Sequence, residues 1–227
     1  NIANFLVGVT LVIGMAGVSL YGQALFDLTA LGAGFLLLQL MLPVPIAAVI
    51  GGWLADRIGC RITAALGFLV AAVGYYLVSR WPVDPGFWTR FVSLVVAGIG
   101  LGLVVGPIGT SATSTLGPQR MATGAALVTV SRMVGMAIGM SAISSWGVRR
   151  ASDLAAGSTA SILRTPGMTE FEYQAKLQNV RLEEAAHQVF GEFFLIAAIV
   201  IAAAVIPALF FYNHREKGAS RLPFLPH

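Results

Sequence analysis

Ile196-Ala197-Ala198-Ile199-Val200-Ile201-Ala202-Ala203-Ala204-Val205 carries no polar side chain on any face. A surface helix keeps a polar face with a period of about 3.6 residues, and a membrane-barrel strand alternates polarity at every second residue. This stretch does neither, and Leu36, Leu37 and Leu38 repeat the behaviour earlier in the chain. Its surroundings must therefore be apolar on all sides. In lipid only helices and closed barrels satisfy their own backbone, and the missing alternation removes the barrel. The segment reads as a membrane-spanning helix.

Working outward, comparable apolar runs occupy 4–26, 31–55, 62–79, 91–116, 121–148 and 187–212. Each approaches the roughly 20 residues that cross a hydrocarbon layer about 30 Å thick. Composition agrees: 57% of residues are hydrophobic, 11% are charged, and mean hydropathy is +0.82. The expected fold is an all-α integral membrane domain, a six-transmembrane-helix bundle covering residues 1–227. The first residue is Asn1, with no basic region or cleavage signal before the first apolar run, so the sequence reads as a piece of a longer chain.

The net charge of +4 would suggest nucleic acid for a soluble domain. Here the bases lie between or beside apolar runs, where they report orientation, and no nucleic acid is expected as a partner. Arg57 and Arg61, Arg120, and Arg215, Lys217 and Arg221 fall on one side. The positive-inside rule makes that side cytoplasmic, with both ends inside and residues 213–227 as a cytoplasmic tail. The other side holds Asp27, Arg80 and Arg90, and a segment from Arg149 to Glu192 with five bases and six acids. Trp53, Trp81, Trp88 and Trp146 all fall near span ends, where amphipathic rings sit at headgroup level. The single Cys60 closes no intrachain disulfide.

Residues 149–186 form an extracytoplasmic segment between the fifth and sixth spans. Thr169 followed by Glu172 reads as a capping box opening a run through Tyr173, Leu177, Val180 and Leu182. A helix from Thr169 to Tyr212 would be about 65 Å long, roughly twice the hydrocarbon thickness, and would project as a helical extension on the outer side. The alternative is a loop with a short surface helix, since the stretch from Ala155 to Gly167 is rich in Gly, Ser and Thr.

Among candidate functional residues, Arg132 lies near mid-depth of the fifth apolar run, where a base costs at least ~2.5 kcal/mol and needs a carboxylate, backbone or water partner. It marks either a translocation site or a structural ion pair. Glu192 follows Gly191 where the sixth span enters the bilayer; burial there would raise its pKa, whereas a headgroup-level position would leave it solvated. Gln23, Gln39, Thr129 and Ser131 are polar candidates for a cavity wall or for interhelical hydrogen bonds. Pro43, Pro45, Pro107 and Pro207 interrupt helices and free carbonyl groups, producing bends that membrane helices also simply tolerate.

The Gly-rich fourth span misses a phosphate-loop spacing at Gly100, Gly102 and Gly106 and follows no strand, so it reads as small-residue helix packing. Glu183 and His187 form the only metal-like pair, and His187, His214 and His227 lie far apart in sequence. No cofactor, no metal and no catalytic dyad is expected, and the chain reads as a transporter rather than an enzyme.

The stretch Gly52-Trp53-Leu54-Ala55-Asp56-Arg57-Ile58-Gly59-Cys60-Arg61 reads physically as a close helix approach at Gly52, a helix-start acceptor at Asp56, and two bases facing cytoplasm and lipid phosphate. An ordinary basic turn uses the same residues. With Gly52, Asp56, Arg57, Gly59 and Arg61 so spaced, it resembles the signature loop of the major facilitator superfamily, departing from it at Cys60. The fourth and fifth spans, Gly98-Ile99-Gly100-Leu101-Gly102 to Gly106-Pro107 and Ser131-Arg132-Met133-Val134-Gly135 to Gly139, resemble the carboxy-terminal half of the 14-span drug/proton antiporter family. Within that family the chain is similar to the mycobacterial exporters of triacylglycerides.

The resemblance implies one half of a major facilitator fold. Its implied partners are an absent amino-terminal half, a membrane lipid or other hydrophobic substrate, and a periplasmic lipid-binding lipoprotein. It places Arg132 toward a central cavity near an acid of the other half, and it implies proton-coupled export from the cell (inner) membrane, of lipids or alternatively of drugs. A non-transporting scaffold, which needs no Arg132, is the competing class.

Overall fold

The computed structural model describes residues 2–26, 28–82, 85–114, 121–157 and 169–209, without the side chains of 108–114, 121, 155–157, 171, 182 and 183. The expectations at Asp27, Arg120, residues 158–167 of the Ala155 to Gly167 loop, the Glu183 pair, His214 and the whole tail therefore lie outside the described residues, while residues 155–157 of that loop are helical.

Described residues fold into eight helices: α1 (Ile2–Leu25), α2 (Ala30–Met41), α3 (Pro43–Ile58), α4 (Cys60–Ser79), α5 (Phe87–Ser114), α6 (Met121–Gly157), α7 (Glu170–Ala203) and α8 (Val205–Leu209). Six helical segments are long and apolar enough to cross a membrane, because α2 with α3 and α7 with α8 each count as one.

The breaks have local causes. Pro43 follows the helical Leu42 and has no N–H to continue the ladder, so α2 and α3 are two pieces of one bent span. Pro207 similarly lies just beyond the turn at Ala204. Pro107 sits inside α5 without ending it. Between α3 and α4 the chain reverses through Gly59 alone, whose φ of 96° belongs to the left-handed region that favours glycine.

Glycines set the packing, as expected where lipid removes the hydrophobic drive between helices and close backbone approach supplies the attraction. In the antiparallel α4–α5 pair, a Cβ at Gly74 would overlap the Ala97 backbone, and one at Gly100 the backbone of Ala71. On another face of α5, Gly98, Gly102 and Gly106 recur every fourth residue against the carbonyls of Leu40, Val44 and Ala48, a parallel crossing. The parallel α1–α6 crossing is made by Gly8 on the Arg132 carbonyl and Gly135 on the Phe5 carbonyl, with Gly139 against Val12.

At the centre of the bundle Tyr75 and Phe68 of α4 are fully buried. The Tyr75 ring stacks on Phe194 of α7 at 6.1 Å, and its hydroxyl donates to the Thr10 carbonyl of α1 at 2.9 Å. Trp81, expected at headgroup level, is instead 3% exposed. It meets Tyr21 edge-on at 5.3 Å and donates its indole N–H to Ser93 at 2.9 Å. A partner for the N–H near the span end let the ring pack inward.

The capping box forms: Glu172 N–H donates to the Thr169 hydroxyl at 3.3 Å, and Thr169 N–H donates to the Glu172 carboxylate at 2.9 Å. α7 runs 34 residues, about 51 Å. It turns at Ala204 and continues as α8 to Leu209; residues 210–212 of the helix that the sequence suggested lie outside the described residues. The unforeseen element is α6, whose 37 residues continue past 148 for a total of about 55 Å.

The Thr169 amide, with its hydroxyl second, holds the Glu172 carboxyl below the usual carboxylate range. Because the folded value is the lower one, the cap is fully present above the ordinary carboxylate pKa of about 4.3 and is lost as pH falls through the depressed value. Hydrogen-exchange protection of the first turn of α7, corrected for intrinsic rate, should therefore drop on acidification. Thr169→Ala should lower it at neutral pH and flatten that dependence.

Candidate translocation site

Arg132 lies within α6, half-buried against α1. Its Nε and Nη2 donate to Oδ1 of Asn4 at 3.4 and 3.3 Å, and Asn4 in turn donates through Nδ2 to the Val128 carbonyl of α6. Asn4 is 1% exposed. Sequence reasoning asked for a carboxylate, backbone or water partner and missed this amide. Its signal was an amide at the head of the first apolar run, 128 residues away.

Gln39 faces a different feature, a groove of about 740 Å³ between α2, α3 and α5. Phe35, Leu42, Ile46, Phe91 and Ile99 help form its apolar walls, in which Gln39 is the polar side chain. The Gln39 Oε1 is buried without a hydrogen-bond partner. Gln23 is exposed and turned back on its own helix, donating to the Ser19 carbonyl at 3.3 Å and hydroxyl at 3.2 Å. Thr129 likewise donates to Ala125 one turn back, and Ser131 is half-buried.

Glu192 is neither an isolated buried acid nor a freely solvated one. Arg150 of α6 grips it with two parallel bonds, Nε to Oε2 at 2.9 Å and Nη2 to Oε1 at 2.7 Å. The guanidinium meets the carboxylate's charge directly across these two bonds. The pair ties α6 to α7 beyond the end foreseen for the fifth span. Arg132, Gln39 and Glu192 thus belong to three different helix contacts rather than to one cluster.

In the 52–61 stretch two readings are corrected. Asp56 is not a helix-start acceptor: it lies exposed in the last turn of α3, and Gly59 caps α4 with no side-chain bond. A Cβ at Gly52 would meet nothing within 4 Å, whereas one at Gly51 would strike the Leu103 backbone at 2.8 Å. Close approach therefore falls on Gly51, with the Gly52 amide merely facing Gly106. Arg57 and Arg61 are exposed, and the Arg57 guanidinium lies 4.1 Å over the Trp53 ring.

Six apolar helical segments with a cation set among them define a multi-pass membrane protein. No protein-family model matches the chain. It is 35% identical over 225 residues to a triacylglyceride transporter of Mycobacterium tuberculosis, covering 94% of this chain and 43% of that protein. A probable triacylglyceride transporter of Mycobacterium leprae is 32% identical over 228 residues, 96% of this chain and 44% of the relative. A triacylglyceride transporter of Mycobacteroides abscessus reaches 44% identity over 158 residues, 65% of this chain and 31% of its own length. The chain thus spans less than half the length of these curated relatives.

Proposed function

We propose that this chain is the carboxy-terminal six-helix half of a proton-coupled major facilitator exporter of the 14-span kind, in the cell (inner) membrane with both ends cytoplasmic. It moves hydrophobic lipids of the triacylglyceride class by rocking against an amino-terminal half around a midplane site. The observation that carries the reading is the groove between α2, α3 and α5. Its size is that of a ligand pocket, its walls are those an acyl chain requires, and the Gln39 side chain would meet an ester carbonyl through its amide N–H, or a hydroxyl through the Oε1 that is buried without a partner. The mycobacterial relatives, named as triacylglyceride transporters, agree with that substrate class. The far ends of α6 and α7 are the surface on which a periplasmic lipid-binding lipoprotein would dock.

The test is transfer of a labelled triacylglyceride and of a fluorescent drug by the full-length protein in proteoliposomes, with and without a proton gradient. Gradient-dependent lipid transfer, reduced at least tenfold in Arg132→Ala, is the expected result. Drug movement alone makes the protein a multidrug antiporter, and an Arg132→Ala protein with full activity removes this residue from coupling.

A further inference from the structure

The amide of Asn4 has a single chemically consistent orientation. Arg132 carries donors only and the Val128 carbonyl accepts only, so Oδ1 must face the guanidinium and Nδ2 the carbonyl. A carboxylate in the same place would match the arginine but would present a second acceptor to Val128. The site is therefore built for an amide.

It is also closely held. Gly8, one turn further along α1, lies against the Arg132 carbonyl, and Gly135 lies against the Phe5 carbonyl, so Asn4 and Arg132 sit in the tightest part of the α1–α6 crossing. Asn4 is buried and cannot be replaced by water without separating the helices. Yet its amide is neutral, and among the described residues Glu192, which could have served as a carboxylate partner, is held by Arg150 rather than by Arg132. A guanidinium in an apolar span ordinarily draws a carboxylate, because an uncompensated charge there is costly.

We infer that Asn4 is a positioning residue: it fixes the Arg132 guanidinium through a neutral hydrogen bond and leaves its positive charge without a carboxylate partner among the described residues, for an anionic group supplied from outside this bundle. The inference deepens the transport reading above and rests on it for its functional arm. An aspartate at position 4 would compensate the cation permanently; a serine would leave it uncompensated but unfixed.

The experiment compares wild type, N4D and N4S in the full-length protein. Detergent melting reports assembly, and triacylglyceride transfer in proteoliposomes across a range of pH reports function. N4D should assemble with a melting temperature close to that of wild type, the ion pair to Arg132 offsetting the lost bond to the Val128 carbonyl, while its gradient-driven transfer falls at least tenfold and its pH profile shifts. N4S should lose transfer to a similar degree with the profile kept. Wild-type transfer and profile in N4D overturn the inference, as does wild-type transfer in N4S should N4D fail to assemble. If wild type itself transfers no lipid, the transport reading fails instead. Melting then decides the positioning role: N4S melting with wild type overturns it, and N4S melting below both wild type and N4D upholds it.

Discussion

Gly8→Ala should melt well below wild type in detergent and lose the Arg132 arrangement at the same time. A Cβ at Gly8 would overlap the Arg132 carbonyl oxygen, well inside the ~3.3 Å at which carbon and oxygen ordinarily meet. The obstacle is backbone, so no side chain can swing aside and α1 must move away from α6. The Asn4–Arg132 bonds, already 3.3 and 3.4 Å long, cannot follow. Overpacking of this kind typically costs 1–3 kcal/mol, roughly, against the ~0.5–1 kcal/mol that alanine gains over glycine within a helix. Gly135→Ala, which meets the Phe5 carbonyl from the opposite helix, should behave alike. Gly34→Ala and Gly52→Ala, whose added carbons meet nothing within 4 Å, should be neutral or slightly stabilising. A Gly8→Ala protein that melts with those controls would mean that α1 and α6 do not cross as described.

The second large effect is expected at Tyr75. Its truncation to alanine empties the middle of the bundle, removing a fully buried ring that stacks on Phe194 and reaches across to α1. Loss of a large buried side chain of this kind costs about 3–5 kcal/mol. Tyr75→Phe keeps the ring and deletes only the hydroxyl bond to the Thr10 carbonyl, for which membrane helices show about 0.6 kcal/mol on average. Unfolding in mixed micelles separates the two. Equal losses in both variants would transfer the role from ring packing to the hydrogen bond.

What could be read from residues alone divides along physical lines. The spans were legible because apolarity on every face admits one backbone solution in lipid, and Thr169 with Glu172 was legible because a capping box is complete within four residues. Arg132 stood out as a charge in an apolar run. Asn4 did not, since what makes an amide a partner is the helix beside it. Trp81 was misread for the same reason: Ser93 and Tyr21, which draw it inward, come from α5 and α1. Asp56 was misplaced because one left-handed glycine, Gly59, makes the whole reversal, leaving the residues before it helical. Arg150 looked like a loop base until α6 proved to continue through it and bring it to Glu192.

By itself, then, the sequence determined that this is a six-span helical membrane protein and that Arg132 is exceptional within it. Solvent preference and local hydrogen bonding act on each segment separately and need no knowledge of its neighbours. Only the tertiary structure decided that Arg132 is held by an amide, that Glu192 is held by Arg150, and that Gln39 looks into an apolar groove. In lipid every helix is surrounded by apolar groups wherever it lies, so hydrophobicity cannot choose partners. The choice falls to backbone contact at Gly8, Gly100 and Gly135 and to hydrogen bonds between residues far apart in the chain.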